Sequence, residues 1–514
     1  LGDRLRDRLV WAGMKAVFSG RIVEREDWEL AETFFNSVTR HIFDTVGVDP
    51  RIEFVDTDFE TPPNPAGTSV YRVYRRAATT HELIEAILRD CPFRIPFRDR
   101  WRDAGRAAEK VEARLRKSGA LRVVERAEIA RCVFYRDMGA YLVGRMFSGS
   151  QLIPLAFALI PTPTGVAVDA VLLTENEVSI LFSFTRSYFH VEINRPYDLV
   201  RFIKSIIPRK RVAELYIAIG YNKHGKTELY RDLQHHMTYC GDPFEISRGQ
   251  RGMVMLVFNM PNDDLVFKVI KDRFAKPKTT TRREVMNKYD YVFKQDRAGR
   301  LPDAQVFEHL VFRRCCFSEE LLDELLAKAA RTVIVQGDSV VIRHAYVERR
   351  VIPLDIYIKE ADPTSVRAAI VDFGNVIKDL AATNIFTGDL LLKNFGVTRL
   401  GRVVFYDFDE LCPLLSCNFR RLPEARSYDD ELADEPWFSV EENDVFPEEF
   451  QNFLGLPTDL REVFMRHHSD LFDVSFWRTI QDRLKSGRMI RIYPYTPQQR
   501  LDRQGAARFP ATPE

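Results

Sequence analysis

One lysine limits the folds open to this chain more than any other residue. Lys268 lies within Val266-Phe267-Lys268-Val269-Ile270, and the alternation of a strand puts its amine on the face of Val266 and Ile270. An unpartnered charge on an apolar face is expensive. The strand therefore either runs along an edge, where the amine reaches water, or borders a cleft in which an anion meets it. Lys271, just beyond, reads as a solvated neighbour. Upstream, Ser247-Arg248-Gly249-Gln250-Arg251-Gly252-Met253 separates two strand patterns. Its glycines would let backbone N–H groups approach an anion, although such a turn taken alone reads as a bulged hairpin.

The chemistry is completed downstream. Gly388-Asp389-Leu390-Leu391-Leu392-Lys393-Asn394 is followed, thirteen residues after the Asn, by Asp407 at the end of Val403-Val404-Phe405-Tyr406. Magnesium on a triphosphate needs hard oxygen ligands from two directions, and a separate carboxylate must face the hydroxyl nucleophile. In this reading Asp389 orients the hydroxyl and accepts its proton, Asn394 and Asp407 are the metal ligands for Mg2+ (or Mn2+), and Lys268 meets the phosphates of ATP. Each carboxylate alone is compatible with an N-cap or a turn; the ordered set is not. The partner of Lys268 stays open between Glu284 and Glu308, on helical patterns expected at 282–297 and 303–313. Ala345-Tyr346-Val347-Glu348-Arg349-Arg350 is expected as the hinge beside an adenine edge. The set departs from ordinary eukaryotic-type kinases: Thr387-Gly388 stands in place of His-Arg, and Asp409 in place of the Gly of Asp-Phe-Gly. Asp434-Glu435-Pro436-Trp437 occupies the position of Ala-Pro-Glu.

The rest of the chain defines the setting. Its 514 residues, 45% of them hydrophobic, exceed one ordinary core and call for two or three domains. Lys and Arg total 75 against 74 Asp and Glu, so there is no basic field for nucleic acid or an anionic membrane surface. The longest apolar run, 152–160, is interrupted by Pro154 and stopped by Pro161, far short of the ~20 residues of a membrane span, and reads as a buried strand. Seven Cys without a Cys-x-x-Cys pair, and ten His without ligand-spaced partners, point to a reducing cytoplasm and away from structural zinc. The chain opens on Leu1 in a charged amphipathic segment with no signal-peptide core, which reads as a trimmed start.

Two halves differ in their order of elements. In the first, Trp28, Ala31, Phe35, Val38, Ile42 and Val46 share a helical face, a turn cluster stands at Pro62-Pro63-Asn64-Pro65, and helical patterns recur at 82–88, 107–117 and 210–239. Short strand patterns at 166–174, 177–184 and 187–193 suggest a small antiparallel sheet. In the second half strands come first, at 244–247, 253–259, 265–270, 331–335 and 339–344. A helix on Val366, Ile370, Phe373, Val376, Ile377 and Leu380 then leads to a hairpin and further helices to about 484. That order predicts an α+β protein whose second half has two lobes and a cleft.

With its departures, the second half resembles the bacterial isocitrate dehydrogenase kinase/phosphatase family. The likeness is carried by Arg251-Gly252-Met253-Val254-Met255, Val266 to Asp272, Asn384-Ile385-Phe386 with Gly388-Asp389, Lys393 to Thr398, and Gly401 to Asp407. Phe34-Phe35-Asn36-Ser37-Val38, Arg186-Ser187-Tyr188-Phe189 and Ala213-Glu214-Leu215-Tyr216 extend it to the first half. The resemblance implies a mainly helical regulatory domain with a small sheet (1–242) and a bilobal protein-kinase-like catalytic domain (243–500). Within the latter the N-lobe spans about 243–345 and the C-lobe about 350–500, and a tail follows at 501–514. It implies a bifunctional enzyme that phosphorylates a serine of NADP-dependent isocitrate dehydrogenase, switching it off, and removes that phosphate. One ATP and Mg2+ site would thereby control the branch between citrate cycle and glyoxylate bypass. By this resemblance the nucleotide loop is Ser247 to Met253, the ATP lysine is Lys268, the phosphatase carboxylate is Asp303, AMP is the effector, and a homodimer is the assembly to consider. From the residues alone, Asp303 in Leu301-Pro302-Asp303 reads as a helix N-cap.

Two rival readings stay open. Asp407-Phe408-Asp409-Glu410-Leu411 resembles the Asp-x-Asp motif of phospho-aspartate phosphatases, although Leu411 replaces the usual Thr or Val; Asp407 would then be a nucleophile and nucleotide dispensable. A nucleotide-sensing scaffold without catalysis is the other, and it leaves Asp389 without a purpose.

Overall fold

Two amphipathic helices begin the chain. Asp7 caps α1 (Arg8–Ile22) by accepting from the Leu9 amide at 2.9 Å, and α2 (Trp28–Phe43) sets Phe35 against Trp11 at 5.7 Å between ring centroids. The face expected on α2 is buried at Trp28 and Phe35, but Val46 is exposed, because Asp44 turns left-handed (φ 44°) and ends the helix first. The structure is a computed structural model that describes residues 5–502 apart from 63–68, 120–122, 185, 240, 277, 424–437 and 489. Most of the turn cluster at Pro62 to Pro65, the stretch Asp434 to Trp437 and the tail from 503 lie outside the described residues.

The chain divides into two units. One runs to Gly241 and takes in His309–Val311 and residues 493–502; the other covers Asp242–Glu308 and Phe312–Ile492. Residues 493–502 make their contacts with the first unit. There Asp169 accepts from the Tyr495 hydroxyl at 2.7 Å and from the Arg500 guanidinium at 2.9 Å.

The first unit is built on a larger sheet than expected. β1 (Tyr71–Arg75), α3 (Thr80–Arg89), α4 (Arg100–Ser118), β2 (Arg126–Ala130), β3 (Phe134–Arg136), β4 (Gly139–Ser148), β5 (Gln151–Thr162) and β6 (Gly165–Leu172) come in that order. The strands pair antiparallel as β1-β2-β4-β5-β6, with β3 on β4. Both faces are covered. Leu155, Phe157 and Leu159 of β5 pack with Leu83, Ile87 and Val111 of α3 and α4, while Ala156 and Ala158 face Phe182 and Leu199. That double burial explains the unbroken apolar run at 152–160. The strands expected at 177–184 and 187–193 do not form. Thr174 and Glu177 make a capping box that starts α5 (Glu175–Leu181), and 187–193 keeps only an isolated bridge from His190 to Tyr135. α6 (Pro196–Ile206), α7 (Val212–Ala218) and α8 (Asn222–Tyr239) complete the unit.

The second unit opens with a six-stranded sheet. Its order is β10-β12-β9-β8-β7, with β11 on β12, from β7 (Glu245–Ile246), β8 (Met255–Asn259), β9 (Leu265–Ile270), β10 (Gln305–Arg313), β11 (Val333–Gln336) and β12 (Ser339–Arg349). α9 (Arg282–Gln295) and α10 (Glu319–Lys328) intervene. The helix expected at 303–313 is the strand β10. His309 takes a positive φ of 55°, so buried positions fall at Gln305 and Phe307 and then at Leu310 and Phe312, and the step of three across the bend imitates a helical period. The expected hinge is also displaced. β12 pairs with β9 as far as Arg349, and the chain leaves the sheet only at Arg350 and Val351.

Then follow β13 (Ile352–Pro353), α11 (Leu354–Glu360), α12 (Pro363–Ala382), β14 (Ile385–Phe386), β15 (Phe395–Val397) and β16 (Val403–Phe405), and later the helices Thr458–His468 and Val474–Lys485. α12 buries the expected stripe of Val366, Ile370, Phe373, Val376, Ile377 and Leu380. Gly374 admits the buried ring of His468, which hydrogen-bonds the Val371 carbonyl at 2.8 Å; a Cβ there would lie 2.1 Å from that ring. Gly374→Ala, which in an exposed helix would stabilise by about 1 kcal/mol, is expected to destabilise the second unit by about 1–3 kcal/mol in urea denaturation.

Candidate active site

Lys268 sits in the central strand of its sheet, opposite Val257 on one side and Tyr346 on the other. The edge-strand alternative is thereby excluded. Alternation sends Phe267 into an aromatic cluster with Phe244, Phe258 and Phe312, and Lys268 out of the opposite face. The amine, on a residue only 6% exposed, lies 2.5 Å from the Glu348 carboxylate and donates to the Tyr406 carbonyl at 2.8 Å. Neither carboxylate proposed from the sequence is its partner. Glu284 caps α9 by accepting from the Thr281 amide at 2.7 Å, and Glu308 is exposed on β10. Glu348 was hidden within the expected hinge. Its register position opposite Val266 makes it a diagonal neighbour of Lys268 on the same face. α9 contributes Tyr289 instead, stacked on Tyr346 at 3.7 Å between centroids.

A cavity of about 510 Å³ opens on this face, within the range of small-molecule sites. Ser247, Arg248, Gly249, Gln250, Arg251 and Gly252 line it with Lys268, Glu348 and Tyr406, and Val266, Val351, Ile352 and Pro353 supply apolar wall. Met253 is not part of the lining. Gly249 holds φ 115°, a conformation that demands glycine. Arg248 pairs with Glu360 at 2.5 Å and Arg251 with Glu324 at 2.6 Å. Lys271, expected in solvent, lines the cavity and donates to the Gly252 carbonyl at 2.5 Å, and burial lowers its pKa.

The acidic groups gather beside this cavity. Gly388 has φ 79°, and a Cβ on it would stand 2.6 Å from Cβ of Glu410, so only glycine lets the chain turn into Asp389. Asn394 donates its side-chain amide to the Asp389 carboxylate. Tyr406 joins the parts: its amide donates to the Asn394 carbonyl at 3.0 Å, its hydroxyl to the Lys393 carbonyl, and its carbonyl accepts from Lys268. Asp407 follows directly. Burial, then Asp407 and Glu410, push the Asp389 pKa up, and burial with Asp407 takes Asp409 up to about 7. Lys288 and Lys278 answer part of that charge, on the Asp409 carbonyl and the Glu410 carboxylate. Glu348 is raised by burial against the pull of Lys268, with Asp407 and Asp303 adding to the rise. Asp303 therefore shares this electrostatic neighbourhood. It accepts from the Gln305 amide at 2.8 Å and precedes a strand, so it is not the helix N-cap expected from the sequence.

Asp389, Asn394, Asp407 and Asp409 carry hard oxygen donors of the kind a divalent cation takes. Among the described residues no three His, Cys, Asp or Glu form a ready metal cluster. Magnesium does not require one, because it is commonly held by one or two protein oxygens together with substrate phosphates and water. Asn394 and Asp407 fit that donor set.

Glu348, Tyr406 and the lysines Lys271, Lys278 and Lys288 carried no signal as site residues in the sequence; a buried acid two positions along the partner strand would have been the clue for Glu348. Removing its charge with Glu348→Gln is expected to weaken ATP binding at least tenfold in displacement of a fluorescent nucleotide, whereas Glu284→Gln stays within twofold. Equal effects would return the partnership to α9.

Family models agree with these two halves. The model described as "Isocitrate dehydrogenase kinase/phosphatase (AceK), regulatory domain" matches residues 1–241, and that of the corresponding kinase domain matches 242–497. The chain is 51% identical over 504 residues to a protein named isocitrate dehydrogenase kinase/phosphatase from Anaeromyxobacter sp. (strain Fw109-5), covering 98% of this chain and 87% of the relative. A protein of the same name from Anaeromyxobacter dehalogenans (strain 2CP-C) is 50% identical over 515 residues, with 98% and 87% covered. Another, from Acidovorax sp. (strain JS42), is 41% identical over 520 residues, with 96% and 84% covered. The chain belongs to the isocitrate dehydrogenase kinase/phosphatase family.

Proposed function

We propose that this chain phosphorylates, and so inactivates, NADP-dependent isocitrate dehydrogenase on a serine, and dephosphorylates it to restore activity, using one ATP and Mg2+ cleft. It thereby sets the branch between citrate cycle and glyoxylate bypass, with AMP as effector. The observation that carries the single-cleft reading is Tyr406, which ties Lys268 to the Asp389 and Asn394 loop and immediately precedes Asp407. A cytoplasmic setting agrees with free thiols at the described cysteines, and no described helix is long and apolar enough to cross a membrane.

Phosphoryl transfer asks a protein mainly for positioning and charge stabilisation. Lys268, already oriented by Glu348 and the Tyr406 carbonyl, meets the triphosphate, and the nucleotide loop Ser247 to Met253 borders it through its cavity-lining residues Ser247 to Gly252. Val266, Val351 and Ile352 offer apolar wall to a planar base. A magnesium ion held by Asn394 and Asp407, with Mn2+ as a substitute, supplies neutralisation of phosphate charge when bound. Asp389 takes the serine hydroxyl proton as the new O–P bond forms and the bond from the γ-phosphorus to the leaving ADP oxygen breaks. In the reverse demand Asp303 orients a water and takes its proton as the water oxygen bonds to phosphorus and the serine O–P bond breaks, Asp389 returns a proton to the serine oxygen, and inorganic phosphate leaves.

With isocitrate dehydrogenase, Mg2+ and labelled ATP, label should appear on a serine; its absence with intact protein overturns the reading. Asp303→Ala should lower dephosphorylation by about 100-fold or more and leave kinase activity within about threefold. Equal loss of both would reject a special role for Asp303. Asp389→Ala should abolish transfer; control of the dehydrogenase without transfer would favour the scaffold. Phosphate release that needs no nucleotide but needs Asp407 would favour the nucleophile.

A further inference from the structure

The segment that carries Asp303, residues 296–304, has no regular secondary structure, yet it is anchored at Arg300. Arg300 is 3% exposed. Its Nη1 and Nη2 each lie 2.7 Å from an oxygen of Asp372 on α12, and Nε donates to Asp379, two turns further on, at 2.8 Å. Nη1 also donates to the Val403 carbonyl at 3.1 Å, so four of the five N–H groups of the guanidinium are used. Asp372 in turn accepts from the Val403 amide at 2.8 Å, and the Arg300 carbonyl accepts from the Phe405 amide at 2.9 Å. β16 pairs with β15 along one edge, and its other edge is held by this ion pair. Arg300 lies three residues before Asp303, and β16 ends two residues before Asp407. A single node therefore fixes both carboxylate-bearing segments.

Packing alone does not call for this arrangement. Apolar side chains of similar volume fill such a space at lower cost than a buried guanidinium, so a fork this well satisfied answers a geometric demand. Against the opposing effect of burial, Asp372 and Asp379 hold the Arg300 pKa above its ordinary value, and Arg300 takes Asp372 down to about 2, so the Arg300–Asp372 pair stays charged across the physiological range. The two carboxylates do not depend on it equally. Tyr406, beside Asp407, is tied independently to Asn394 and Lys268.

We infer that Arg300, through Asp372, is the positioning residue that sets Asp303 against Asp407 for removal of the phosphate, while the kinase groups are positioned chiefly through Tyr406. This rests on the reading of Asp303 given above. Arg300→Lys keeps a cation but loses the planar fork. It is expected to lower the dephosphorylation kcat by about 10- to 100-fold, with KM for the phosphorylated dehydrogenase within about twofold and kinase activity within about threefold. In an Asp303→Asn background the same change should cost less than about twofold of the residual dephosphorylation, because a residue that acts through Asp303 has nothing left to position. Asp372→Asn, which leaves Arg300 in place, should reproduce the pattern and serves where the Lys variant folds poorly. Parallel loss of both activities, or a fully additive loss in the Asp303→Asn background, overturns the inference. Unchanged dephosphorylation in Asp303→Asn alone overturns the reading of Asp303 itself, and the inference falls with it.

Discussion

The second unit is organised around a charge that has to be inside. Lys268 is in the middle strand of its sheet and only 6% exposed, at the wall of a cavity, so the fold must bring an anion to it. Glu348 does so from the adjacent strand at 2.5 Å, and the Tyr406 carbonyl completes the pairing. Loss of one member of such a pair leaves a buried charge uncompensated, which costs about 3–5 kcal/mol. Because both members belong to one sheet, their distance is set by strand register and not by the position of a helix. In ordinary protein kinases the corresponding carboxylate lies on a helix, whose placement controls the pair. α9 here is keyed by Tyr289 stacked on Tyr346 and leaves the pair alone.

Tyr406 extends that constraint to the loop of Asp389 and Asn394. Three of its polar atoms connect Lys268, Lys393 and Asn394, so the strand lysine and the Asp389 loop hold each other's geometry. The departures from ordinary kinase motifs have physical counterparts. Gly388 replaces the usual Arg because the chain of Glu410 passes too close for a side chain, and Asp409 adds a buried carboxylate whose neighbours Lys278 and Lys288 offset it in part. Asp303 and Asp407 both act electrostatically on Glu348, and the segments that carry them meet at Arg300 and its Asp372 partner.

Much of this was legible in the residues themselves. The strand lysine stands out because a charge is wrong for an apolar strand face unless it has a partner, and the glycine turn and the Asp389, Asn394 and Asp407 series stand out by their order and spacing around it. α12 and β5 were legible because burial imposes an apolar stripe or run. Other features misled for identifiable reasons. β10 imitates a helix because the bend at His309 shifts its alternation by one residue. The apolar content of 177–184 suggests a strand, yet Thr174 and Glu177 spell the capping box that starts α5. Lys271 looked solvated because sequence shows its charge and not the Gly252 carbonyl that receives it.

The sequence by itself determined the residue types that can do the chemistry, their order, the two halves and the family, since these depend on local pattern and on motifs short enough to read along the chain. Only the tertiary structure decided which groups meet. Glu348 rather than Glu284 or Glu308 pairs with Lys268, Tyr406 links the lysine to the loop of Asp389 and Asn394, and Arg300 holds the segment 296–304 to α12 and β16 through Asp372. The physical reason is common to all three: strand register, helix packing and a guanidinium fork act between residues tens to more than a hundred positions apart, and no local pattern encodes which of several eligible partners will be brought into contact.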